Sequence, residues 1–130
     1  MTALPLFEQT RLAHEHAEVM TEGKLTLQRC RNCGVVQYPY RELCGECLAD
    51  ALQWRIVDGP GTVIAAVRVH ASMHAFFRDN APWCICSVTL DAGPRVIAHS
   101  IDGEIGFGSR VTVVDERVSS SYSVLVARIS

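Results

Sequence analysis

Residues 30–47, CRNCGVVQYPYRELCGEC, govern how the rest of the chain is read. Cys30 and Cys33 form one C-x-x-C pair and Cys44 and Cys47 a second, with ten residues between the pairs. A C-x-x-C turn sets two sulfurs on one side of a tight knuckle. Two such knuckles at the ends of a short hairpin supply four thiolates to one tetrahedral ion. Gly34 follows the first pair and Gly45 lies inside the second, where a knuckle backbone is expected to need positive φ. Two disulfides, or four reduced core cysteines, are the other uses of these residues, but paired C-x-x-C at this separation is a strong zinc pattern. A rubredoxin-like iron site has the same ligands. The spacing therefore points to a metal site at Cys30, Cys33, Cys44 and Cys47 and leaves zinc or iron open.

The chain has 130 residues, room for one domain or two very small ones. A chain of that size buries roughly two-thirds of its unfolded surface. No apolar run reaches the ~18 residues that span a bilayer. The start, MTALPLFEQTRLAHEH, lacks the basic residues and apolar core of a signal peptide. Six cysteines, four of them in metal pairs, then lead to the expectation of a reducing cytoplasm. Twelve basic residues face fourteen acidic ones, spread evenly: residues 22–58 carry five of each sign and residues 59–130 six. A nucleic-acid binder concentrates positive charge to replace phosphate counterions, and no such concentration is present. Eleven of the twelve cations are arginine, which high-GC codon usage explains as well as any preference for phosphate.

Residues 6–22 read as a helix, with Leu12, His16, Val19 and Met20 along one stripe and Gly23 to end it. The stripe is narrow, so the helix must dock on something larger, the ribbon or a partner. His14 and His16 point to different sides and read as surface or packing residues. Lys24–Arg29, Val35–Tyr38 and Leu52–Val57 read as three short strands around the knuckles, a zinc ribbon whose folding energy must come in large part from the metal. Asp58-Gly59-Pro60-Gly61 reads as a turn and a boundary. The expected divisions are 1–23 for the helix, 24–58 for the ribbon and 59–130 for the second domain.

Beyond residue 58 the pattern is of strands alone. Thr62–His70 places Val63, Ala65, Val67 and Val69 on one face, and Trp83–Leu90 places Cys84, Cys86, Val88 and Leu90 on one face. Arg95–Ile101, Arg110–Asp115 and Tyr122–Ile129 add three more strands. Five strands with no helix give a mainly β fold: a rubredoxin-like ribbon followed by a five-stranded OB-type barrel, whose closure removes sheet edges. Between the first two barrel strands, Ala71–Pro82 is long for a hairpin and carries Met73, His74, Phe76, Phe77 and Arg78. Two adjacent phenylalanines beside an arginine suit a planar base and a phosphate, or a protein partner, or a plug for the barrel mouth.

No catalytic constellation emerges. Cys84 and Cys86 share the face of Val88 and Leu90 and read as small core hydrophobes, with no activating base nearby. His70, His74 and His99 are scattered. Gly103–Arg110, GEIGFGSR, has the wrong spacing for a nucleotide loop and reads as a barrel turn.

The order of these segments resembles the DUF35 family of zinc-ribbon OB-fold proteins over nearly the whole chain. The resemblance rests on the helix, the strand into CRNCG, the Pro-containing hairpin to CGEC, Leu52-Gln53-Trp54, and GPGTV opening the barrel. Ala81-Pro82-Trp83 with Val88-Thr89-Leu90-Asp91-Ala92-Gly93 also resembles the family's barrel segment. One departure is that Pro39 and Arg41, adjacent in the family pattern, are separated here by Tyr40. The resemblance implies an accessory role beside thiolase-like enzymes (thiolases, acyltransferases or aldolases acting on CoA thioesters), with catalysis in the partner chain. On that reading zinc is structural and acyl-CoA is a shared ligand. Phe76, Phe77, Arg78 and Trp83 are then the expected contacts to CoA or partner, and Arg68 and Arg95 further phosphate candidates. Their loop and strand-start placement motivates this, and no family motif fixes them. A single-stranded nucleic-acid module and an iron-containing electron carrier are the alternatives.

Overall fold

The alternation L-T-L-Q-R-C builds β1 (Leu25–Cys30), which pairs antiparallel with β2 (Val36–Gln37) on one side and β3 (Leu52–Val57) on the other. The computed structural model describes residues 10–71, 73, 75–102, 105–119 and 122–129. Residues 6–9, His74 and Gly103, which enter the expectations above, lie outside them. A second sheet closes into a barrel from β4 (Pro60–Val69), β5 (Trp83–Leu90), β6 (Arg95–Ser100), β7 (Arg110–Ser119) and β8 (Tyr122–Ile129). Its order is β4-β5-β6-β8-β7, with β6 and β8 parallel and the other pairs antiparallel. A mainly β fold, with a zinc-ribbon sheet leading into a closed five-stranded OB-type barrel, is the class expected from the sequence.

The helix is shorter than the sequence suggests. α1 spans Arg11–Val19, capped by Thr10, whose Oγ1 accepts the Ala13 N–H at 3.2 Å. It ends before residue 22 because Met20 is already extended (ψ 154°). Val19 is 52% exposed and leaves the packing stripe, which is instead His16, Ala17 and Met20. The helix docks on β8 of the barrel. A second departure is α2 (Ala75–Asp79), one short turn of helix in the segment expected to be plain loop.

The ribbon has no separate core. Leu25 and Leu27 are buried in one cluster with Val63, Val88, Leu90, Val96, Val111 and Val113 of the barrel. Each buried leucine contributes about 1.5–3 kcal/mol to holding the two sheets together. The backbone joins them as well: Gly23 donates to Asp115 O at 3.1 Å, and Asp115 donates to Lys24 O at 2.7 Å.

Two expectations about backbone course are overturned. Asp58–Gly61 forms no turn; the chain passes from β3 to β4 through two residues, and Gly59 lies against β7, its carbonyl accepting the Val113 N–H at 2.8 Å. A Cβ at Gly59 would stand 2.1 Å from Val113 O, so close approach, and not turning, requires glycine there. In β4 a bulge falls between Val63 and Ala65, since Val63 pairs with Val88 but Ala65 with Ser87. Opposed residues share a face. Ala66 and Arg68 therefore lie on the side of Cys86 and Cys84, and Ala65, Val67 and Val69 turn outward, away from Val63.

Candidate metal centre

Cys30 ends β1, Cys33 follows it by one knuckle, and Cys44 and Cys47 sit on the second knuckle. The two knuckles repeat one hydrogen-bond pattern. Gly34 N–H donates to Cys30 O (2.9 Å) and Cys30 N–H to Val35 O (2.9 Å); Leu48 N–H donates to Cys44 O (3.0 Å) and Cys44 N–H to Ala49 O (3.1 Å). The left-handed position is the fourth after the first cysteine in each. It is Gly34 (φ +82°) in the first knuckle and Leu48 (φ +62°) in the second. Gly45 is not the positive-φ residue expected from the sequence; its N–H donates to Gln37 Oε1 at 3.0 Å. The stretch between the knuckles is pinned by the buried Gln28. Its Oε1 accepts the Arg41 N–H at 2.8 Å, and its Nε2 donates to Arg41 O at 2.8 Å.

The four sulfurs all lie within 4.8 Å of one another, with Cys30–Cys47 at 3.6 Å and Cys33–Cys44 at 3.5 Å. A disulfide needs about 2.05 Å, so these are four free thiols. A tetrahedral ion with Zn–S bonds of ~2.3 Å places its ligands roughly 3.8 Å apart, and the donor set fits it. N–H groups already face the sulfurs. Asn32 Nδ2 donates to Cys47 Sγ at 3.4 Å and, with the Ala49 amide, lowers the Cys47 pKa to about 6. The Cys47 and Glu46 amides lower that of Cys44. At Cys33 the Val35 amide favours the thiolate, but desolvation and three neighbouring sulfurs outweigh it and push the thiol up to about 12. Four thiolates at this spacing require a cation. Cys30, Cys33, Cys44 and Cys47 would together hold such an ion, and with four protein ligands it would supply folding energy and rigidity.

The other sequence-derived candidates fall in two places. Trp83 is buried, and its Nε1–H donates to His99 Nδ1 at 2.9 Å; Phe76 lies edge-on over the indole at 5.0 Å. Arg78 sits beside Asp79 at the end of α2, 4.0 Å from it, and Arg68 is opposite Cys84. Phe77 lies within α2. Arg95 is opposite Thr89, about 20 Å along the strands from Trp83, so it does not join them. Cys86 is buried, and burial together with Cys84 pushes its thiol up to about 11, consistent with a core role.

The junction between ribbon and barrel carries no local sequence motif. His16 is buried between the ribbon and barrel, stacked on Tyr40 (centroids 4.8 Å) and tilted against Trp54 (5.4 Å). Its Nε2 meets Asp115 Oδ2 at 3.2 Å and Thr26 O at 3.1 Å, and its Nδ1 meets Ser123 Oγ at 3.2 Å. Asp115 Oδ2 also accepts the Thr26 N–H at 2.8 Å. Val111, Val113 and Asp115 fall in one alternating phase, a signal that placed the carboxylate inward. Tyr40, which separates Pro39 from Arg41, is the residue that stacks on His16.

Among the described residues no helix is long and apolar enough to cross a membrane. The family described as "ChsH2, rubredoxin-like zinc ribbon domain" matches residues 18–53, and that described as "ChsH2, C-terminal OB-fold domain" matches residues 54–115. Two curated relatives are each named "DUF35 domain-containing scaffold protein". That of Methanocaldococcus jannaschii is 31% identical over 69% of this chain and 66% of its own length. That of Methanothermobacter thermautotrophicus is 30% identical over 72% of this chain and 73% of its own. A solved structure named "Ltp2-ChsH2(DUF35) aldolase" has the same fold, with a TM-score of 0.73 at 21% identity over 97% of this chain and 98% of that one.

Proposed function

The chain belongs to the DUF35 family of zinc-ribbon and OB-fold proteins, and from that premise we propose that it is a non-catalytic accessory subunit of a thiolase-like enzyme. One observation carries the reading: four cysteine sulfurs converge within 4.8 Å, enough to fill a tetrahedral ion's shell without a substrate ligand, while the sheet they clip shares a core with the barrel. Such a body suits a docking platform. The relatives' name, scaffold protein, and the aldolase named with the ChsH2 neighbour support an enzyme partner.

In this proposal zinc is held by Cys30, Cys33, Cys44 and Cys47 and fixes the platform, and the protein works in the cytoplasm. The partner, a thiolase, acyltransferase or aldolase, meets the barrel end that carries α2. Phe76, Phe77 and Arg78 lie there with Trp83 against Phe76, and Arg68 stands opposite Cys84 near the end of β4. Val67 (60% exposed) and Phe107 (85% exposed) border a neighbouring depression of about 530 Å³ with Ala66, Arg68, Cys84, Ile105 and Gly106, apolar surface that a partner would cover. Acyl-CoA is bound or channelled between the two chains, with Arg95 a phosphate contact if the ligand reaches the far end of the barrel.

Purification from the native host, followed by thermal melts with CoA and acetyl-CoA, tests this. The expected result is a stoichiometric thiolase-like subunit in the same particle and a raised melting temperature for the complex. A chain that runs alone and melts unchanged with either ligand contradicts it.

A further inference from the structure

We propose that Arg29, Arg31 and Arg55 form a binding site, on this chain alone, for a phosphate or diphosphate group carried by a small molecule. The three arginines line a depression of about 270 Å³ beside the first knuckle, together with Cys30, Gly34 and Gln53. That volume is near the lower end for small-molecule sites.

Strand register brings them together. Arg29 of β1 stands opposite Gln53 of β3, and Arg55 stands opposite Leu27, so Arg29 and Arg55 are diagonal neighbours on one face. Gln53 Oε1 accepts from Arg55 Nη2 at 2.9 Å and orients that guanidinium. Arg31 is held at the rim by its main chain, whose N–H donates to Ala51 O at 2.9 Å. Gly34 leaves its side open: a Cβ there would stand 4.0 Å from Arg29 Nη2.

The electrostatics favour an anion. Arg11, Arg78, Arg110 and Arg128 each lie beside a carboxylate. Among the described residues no carboxylate pairs with Arg29, Arg31 or Arg55. Like charges gathered on one sheet face are destabilising unless something neutralises them. Guanidinium forks match phosphate oxygens in bidentate geometry, and three of them exceed what one carboxylate needs. A metal on four thiolates has net negative charge and draws Arg29 and Arg31 toward the knuckle. It does not account for Arg55 on the far strand. The proposal goes beyond the accessory role, since the ligand needs no partner chain.

Calorimetric titration of the zinc-loaded protein with inorganic pyrophosphate and, separately, with CoA tests it. Expected is saturable 1:1 binding that weakens with salt. In Arg29→Gln/Arg55→Gln the affinity falls at least about tenfold, while zinc content and melting temperature hold. CoA binding tighter than pyrophosphate identifies a nucleotide-type source, and equal affinity identifies the free anion. No binding by either probe at ~10 mM, far weaker than ordinary affinities, overturns the proposal. So does competition by an acidic peptide where pyrophosphate has no effect. If the double variant loses zinc, Arg55→Gln alone decides: binding unchanged in that variant assigns the arginines to charge balance at the metal and overturns the site.

Discussion

His16 Nε2 and Asp115 Oδ2 meet at 3.2 Å, both side chains buried, across ninety-nine positions of sequence. The contact ties α1 to β7, and the same carboxylate oxygen accepts the Thr26 amide of β1, so one buried group joins helix, ribbon and barrel. Removing one partner strands the other in a low-dielectric interior. Asp115→Ala is expected to cost about 3–5 kcal/mol in urea denaturation. Asp115→Asn retains an acceptor for Thr26 and is expected to cost less. In a double-mutant cycle with His16→Ala, a coupling of roughly 1–3 kcal/mol is expected, and additivity would show that the two residues act separately.

The metal and the barrel should fail together, because Leu25 and Leu27 belong to both sheets. Chelation, or Cys30→Ser, is expected to lower the melting temperature of the whole chain in one transition and to abolish assembly with the partner. In a Trp54→Phe background, near-ultraviolet dichroism of the buried Trp83 reports the barrel, and zinc release reports the ribbon. Two separated transitions would refute the shared core. The zinc-loaded protein should also lack visible absorption, whereas an iron tetrathiolate would be coloured.

Glycine substitutions should sort by what a Cβ would meet. Gly59→Ala drives a methyl into Val113 O and is expected to destabilise by about 3 kcal/mol, at the upper end for overpacking. Gly106 has nothing within 4 Å, and Gly106→Ala is expected to change stability by under ~1 kcal/mol. In the knuckles Gly34→Ala should cost about 1–2 kcal/mol, because a left-handed residue gains a Cβ there. Leu48→Asn, at an exposed left-handed position, should gain a few tenths to about 1 kcal/mol. Denaturant midpoints of the four variants check the order.

Burial holds the His99 pKa below its ordinary 6.5, and its Nδ1 accepts from Trp83 Nε1–H, which requires that nitrogen to be unprotonated. The folded state therefore binds this proton less readily than the unfolded chain. Stability from this site is present above about pH 6.5 and is lost as pH falls from there through the folded pKa. An NMR titration of the imidazole should place its midpoint below 6.5, and Trp83→Phe should raise it. A midpoint above 6.5 would contradict the buried, neutral assignment.

The clustering of the four cysteines was legible because C-x-x-C geometry is local: the spacing alone sets the sulfurs on one side. The barrel strands were legible because their alternation is regular. What escaped depends on partners distant in sequence. The β4 bulge is visible only once Val63 and Ala65 are paired with β5, and it reversed the faces expected for Ala65 and Val67. Asp115 kept the inward phase of Val111 and Val113, but a carboxylate is not an expected core residue until His16 and the Thr26 amide stand beside it. α2 is five residues long, too short for any periodicity to register. Leu48 carries no sequence mark of its left-handed backbone, and Gly45 drew attention to the wrong position of the second knuckle.

Native mass spectrometry of the chain purified from its own host tests the accessory role most directly. The expected particle contains this 14.3 kDa chain with one zinc ion and a thiolase-like subunit in fixed ratio, and acyl-CoA turnover requires the second chain. A lone zinc-loaded chain that turns over an acyl-CoA by itself would contradict it.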